Sequence, residues 1–124
     1  MITNNIIILN RGDSYLFNFY IEDDNSKDGI YHLKDDDAIY LGIMDPHQLF
    51  ENALVRKKYT AKDMDPAGNI NIEIKPEDTI DLYPGLYYYA IKLHKQSPAK
   101  IDLNEPEIDE VVTIINKTKF ILND

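Results

Sequence analysis

Apolar and polar residues alternate in short runs along most of this chain, and each run is bounded by turn formers. From Tyr15 to Ile21, the residues Tyr15, Phe17, Phe19 and Ile21 fall on one side and Asn18, Tyr20 and Glu22 on the other, with only Leu16 out of pattern. That period of two belongs to a strand packed on one face. Asn69 to Lys75 repeats it, with Ile70, Ile72 and Ile74 inward and Asn71, Glu73 and Lys75 outward, and so does Tyr87 to Leu93. Ala38 to Met44 is apolar on both sides, which predicts a central strand. Ile6 to Leu9 predicts a first strand, ended by a turn at Asn10-Arg11-Gly12-Asp13. Leu54 to Thr60 carries Arg56, Lys57 and Lys58, charges suited to an edge because they discourage another chain from adding there. Val111 to Ile115 and Lys119 to Leu122 predict a closing hairpin through Asn116-Lys117-Thr118.

The intervals fit this frame. A polar loop fills Asp23 to Asp37, Asp45-Pro46 starts a turn or single helical turn over His47 to Ala53, and Asp65-Pro66-Ala67-Gly68 is a turn. A polar, proline-marked loop is predicted from His94 to Glu107. Seven to eight short antiparallel strands with no long 3.6-residue periodicity predict one all-β domain over residues 1–124, a sandwich. The sharpest local signal is the corner Asp78-Thr79 to Pro84-Gly85, followed by Tyr87 and Tyr89. Pro84 sets φ for a turn, Gly85 tolerates positive φ, and a tyrosine just beyond resembles the tyrosine corner of immunoglobulin-like sandwiches. Tyr87 and Tyr89 are then buried, and Tyr88 points the other way, leaving Tyr88 and Tyr20 as candidate contact residues on a surface.

Thirteen basic against twenty-two acidic residues give a net charge of −9, with no run that concentrates the cations, so the balance opposes binding to nucleic acid. The chain has no cysteine, which rules out disulfides and thiolate metal sites and suits synthesis in a reducing cytoplasm. The apolar run Ile6 to Leu9 is too short for a signal peptide or a membrane span, so no membrane association is expected.

Candidate chemistry is sparse. Asp24, Ser26, Asp28 and Asp35 occupy positions one, three, five and twelve of an EF-hand calcium loop, with Gly29 at six. Tyr31 stands where an aliphatic residue is usual, the last ligand is Asp instead of Glu, and a strand precedes the loop, all of which favour a plain solvated loop. Arg11-Gly12-Asp13 matches the integrin tripeptide, a match short enough to arise by chance at a strand boundary. His32, His47 and His94 are far apart, with no histidine or carboxylate at a spacing that would build a metal face. No nucleophile elbow, phosphate loop or paired-carboxylate spacing appears, so neither catalysis nor a cofactor is expected.

The order Gly12-Asp13-x-Tyr15-x-Phe17, Leu33, Ile39-Tyr40-Leu41, Gly68-x-Ile70-x-Ile72, Asp78-Thr79-x-x-Leu82-x-Pro84-Gly85-x-Tyr87-x-Tyr89, Val112-Thr113-Ile114 and Phe120-Ile121 resembles the immunoglobulin-like domains of tailed-phage virion proteins. It is most similar to the N-terminal domain of the upper baseplate protein family, which docks receptor-binding machinery onto the tail. The resemblance spans nearly the whole chain and rests on fold-determining turns and core positions. It implies a single immunoglobulin-like domain and a multi-copy structural protein of the virion, made in the host cytoplasm, that binds baseplate, tail, neck or capsid proteins. In that family longer tail segments often follow, whereas this chain ends at Asp124 after its last predicted strand, so capsid decoration or a neck role is an expectation alongside baseplate attachment. The alternative is a host-surface or glycan-binding adhesion module whose loops display the exposed tyrosines.

Overall fold

The computed structural model describes residues 5–95 and 110–124 together with the backbone of 2–3. The protein is mostly β, built from a curled mixed sheet and a second, smaller sheet. In chain order the strands are β1 (Ile2–Thr3), β2 (Ile6–Asn10), β3 (Tyr15–Phe19), β4 (Ala38–Met44), β5 (Val55–Thr60), β6 (Ile70–Ile74), β7 (Gly85–Lys95) and β8 (Glu110–Asn123). One short helix, α1 (Pro76–Thr79), and two 3-10 turns, Phe50–Asn52 and Ala61–Asp63, connect them. The larger sheet runs β1-β2-β8-β7-β4-β5, and β3 pairs with β6 in the smaller one.

Alternation decides which side of each strand is buried. Ile39, Leu41 and Ile43 of β4 and Tyr87, Tyr89, Ile91 and Leu93 of β7 meet Phe19, Ile70, Ile72 and Ile74 of the smaller sheet in one core, closed by Ile7, Phe120 and Leu122. The strands predicted at Tyr15–Ile21, Ala38–Met44 and Asn69–Lys75 form with the expected inward residues, and β5 lies at a sheet edge as its charges predict. Leu16, the residue out of pattern, is exposed.

Three expectations are corrected. The closing hairpin does not exist: β8 is one strand through Asn116-Lys117-Thr118, and its register against β7 shifts between Tyr89 and Ile91 and again between Ile91 and Lys92. The polar triplet marks a bulge, where an extra residue is absorbed without reversing the chain. The strands are not all antiparallel, because β2 pairs with β8 in parallel, Ile7 opposite Phe120 and Asn10 opposite Asn123. His94 and Lys95 belong to β7, and the rest of the loop predicted up to Glu107 lies outside the described residues.

The corner forms as a set of backbone latches. Tyr87 is 9% exposed and its hydroxyl donates to the Tyr83 carbonyl at 2.6 Å, while the hydroxyl of Tyr89, 1% exposed, donates to the carbonyl of Asn5. Burial raises the pKa of both phenols, that of Tyr89 to about 12. Gly85 opens β7 at φ 153°, a conformation that suits a residue without Cβ. Asp78 caps α1 by accepting from the Lys75 N–H at 2.8 Å and pairs with Lys57 of β5 at 2.6 Å. Thr79, fully buried, accepts from the Gly12 N–H at 2.9 Å and so ties α1 to the β2–β3 turn.

Replacing Tyr87 by Phe leaves the Tyr83 carbonyl without its phenol donor and is expected to lower unfolding free energy by about 1 kcal/mol in urea titration. Lys57→Met keeps the aliphatic stem but strands the Asp78 carboxylate in a site mostly closed to water. Its cost should fall between an exposed and a fully buried pair, about 1–3 kcal/mol by the same measurement.

Candidate functional site

The calcium-like loop does not assemble a cation site. Asp28 uses one carboxylate oxygen to accept from the Ser26 hydroxyl at 2.8 Å and the Ile30 N–H at 3.1 Å, and the other lies 2.7 Å from Nε2 of His32. Among the described residues no three His, Asp or Glu side chains are grouped to hold a metal, so Asp24, Asp28 and Asp35 do not form a carboxylate cluster, and Ser26 serves Asp28 as a hydrogen-bond donor. The loop is instead closed by its own backbone, through Asp23 N–H to the Gly29 carbonyl and Tyr31 N–H to the Ile21 carbonyl. One histidine does have a carboxylate four residues away, Asp28 beside His32, and the two form a pair that no third ligand joins among the described residues. Hydrogen bonding to His32, then to Ser26, pulls the Asp28 pKa down to about 2. Asp37 is 3% exposed at the foot of the loop, accepting from the Tyr31 hydroxyl at 2.5 Å and the Lys34 N–H at 3.0 Å. Burial and Asp37 together push the Tyr31 phenol well above its usual range.

In the Arg11-Gly12-Asp13 turn, Arg11 bonds Asp124 at 2.9 Å and the Gly12 N–H is held by Thr79. Both contacts serve the closure of the fold. Tyr20 is exposed, as expected. Tyr88 does face away from the main core, but it packs against a second small cluster of Met44, Ala53 and Ala90, with Lys117 Nζ 5.6 Å from its ring centre.

That second cluster borders a site which the linear sequence conceals. Cross-strand register stacks the outward residues of β5, β4, β7 and β8 in rows: Lys58 beside Tyr40 beside Lys92 beside Thr113, and next to it Thr60, Ala38, His94 and Val111. On the other flank Arg56, Gly42 and Ala90 form a row of which two members are small. Phe50, from the 3-10 turn after β4, lies down over the gap, and a Cβ on Gly42 would come within 2.9 Å of its ring. The result is a groove of about 410 Å³ floored by Tyr40, Leu41 and Gly42 and walled by Phe50, Arg56, Lys92, His94 and Val111. A second hollow of about 230 Å³ continues beyond Phe50 and Lys92 toward Met44, Leu49 and Lys117.

Cations and rings are paired throughout this face. Lys92 Nζ stands 4.7 Å from the Phe50 ring centre and Lys58 Nζ 5.9 Å from that of Tyr40, whose edge also meets the His94 ring at 4.8 Å. Arg56 is anchored by its Nε and Nη2, which donate to the carbonyls of Ala53 and Glu51. The acidic chain therefore does concentrate cations, contrary to expectation, because residues dispersed over β5 and β7 share one face through non-local pairing. Such an arrangement can bind anionic groups by charge and apolar groups by contact.

The Asp28 carboxyl should titrate near pH 2 when followed by NMR, and His32→Ala should return it toward 3.8. Because the folded-state pKa is lowered, the contribution of this contact is present above the unfolded value and fades as pH falls through the folded one.

No protein-family model, no curated protein and no solved structure matches the chain.

Proposed function

We propose that the protein is an immunoglobulin-like sandwich that serves as a non-enzymatic structural module of a phage virion, docking other virion proteins through the outward face of its larger sheet. The strand order β8-β7-β4-β5 follows the G-F-C-C′ order of variable-type immunoglobulin sheets, and the β3–β6 pair occupies the place of B and E. Tyr87, near the start of β7 and bonded back to Tyr83, fits the tyrosine corner of that fold at its E–F connection. These features support the fold-level likeness to tailed-phage domains, which the order of turns and core positions in the sequence suggested.

The observation that carries a docking role is the outward face itself. Its groove is open among the described residues, joins rings to cations, and lies on strands paired in continuous register. Exposed strand-borne side chains held in fixed register suit recognition of another protein. Purified virions should contain the chain at a copy number set by the symmetry of the head, neck or tail, as read by quantitative mass spectrometry. Absence from virions, with saturable binding to host cell-wall polysaccharide, would instead establish the adhesion role.

A further inference from the structure

We infer that the groove over Tyr40 and Gly42 receives an extended acidic segment of a partner protein, one whose alternate residues are carboxylates and whose intervening residues are apolar. This rests on the reading of the chain as a docking module and names the chemistry of what it docks.

The first support is charge. The chain carries −9 overall, yet Arg56 and Lys92 line the groove and Lys58 stands on the same sheet face at its rim beside Tyr40, with Glu51 as the one carboxylate in the groove wall among the described residues. Beyond about 8–10 Å the surrounding negative charge is screened at physiological salt, so a short acidic segment seated among these cations experiences mainly their attraction. A long polyanion that ran past the groove would meet the rest of an acidic surface.

The second support is spacing. Arg56 and Lys58 are two residues apart on one face of β5, as are Lys92 and His94 on β7. Side chains i and i+2 of an extended peptide repeat at about 6.5–7 Å, the same interval as on the strands beneath. Alternate carboxylates of a peptide laid along β5 can therefore meet both Arg56 and Lys58, while along β7 one carboxylate meets Lys92 with the His94 ring beside it. The third is the floor: Gly42 keeps it low, and Tyr40, Phe50 and Val111 offer apolar surface to the residues between the carboxylates. Arg56, held by the Ala53 and Glu51 carbonyls, is already positioned and loses little freedom on binding.

The test is an NMR titration of the whole chain with a synthetic peptide alternating Glu and Val, run beside a glycerol-phosphate polymer and a single-stranded oligonucleotide. The peptide should shift the resonances of Tyr40, Gly42, Phe50 and Lys92 and bind more weakly as salt rises. Arg56→Glu with Lys92→Glu should weaken it by about a hundredfold, and the Gln pair, which keeps the packing of the stems, by about tenfold. Lys62→Glu, on the 3-10 turn after β5 and not among the residues lining the groove, should bind as the parent does. Peptide shifts elsewhere, equal binding by the Glu pair with its fold intact, or binding of the phosphate polymers but not of the peptide would each overturn the inference. The docking reading fails separately: virions that take up the Glu-pair chain at normal copy number refute the groove and leave the module, while virions lacking the parent chain refute the module and leave the titration to judge the groove.

Discussion

A buried hydroxyl must find an acceptor, and in β7 that requirement organises the molecule. Tyr87 and Tyr89 bring large rings into the core beside Ile91 and Leu93, and each ring carries a polar atom that would cost stability if left unpaired. The acceptors are backbone carbonyls, Tyr83 in the preceding corner and Asn5 in the turn between β1 and β2. One strand thus fixes the path of the chain leading into it and the position of the N-terminal edge. Because β7 also pairs with β4 on one side and β8 on the other, its register sets theirs.

The corner before β7 extends this control to the smaller sheet. Asp78 joins α1 to β5 through Lys57, and Thr79 joins it to the β2–β3 turn through Gly12. These bonds span sequence separations that no local propensity could bridge. Lys57 points inward to Asp78 while its neighbours Arg56 and Lys58 point outward, so a single edge strand both closes the fold and supplies the cations of the site.

Alternation made most of the strands legible: the isoleucines of β6 and the inward tyrosines of β7 are where a period of two places them. The closing hairpin misled because a polar triplet without glycine can mark either a turn or a bulge, and only the pairing of β8 with β7 separates the two. The groove was illegible for a related reason. Tyr40, Arg56, Lys58 and Lys92 each look ordinary in sequence, and they become neighbours only through the registers of three strands, which no stretch of sequence encodes alone. Asp28 and His32 were within reach of a spacing argument, but the calcium pattern drew that aspartate into a different grouping.

The parallel pairing of β2 with β8 brings the first core strand against the last, with Ile7 beside Phe120. Closing so long a loop is entropically costly before any contact rewards it, and topologies dominated by such pairings fold slowly. On the ribosome, Ile7 and Leu9 meet their neighbours Phe120 and Leu122 only once β8 has emerged, so this seam of the core is completed last and the growing chain carries an unfilled strand edge until then.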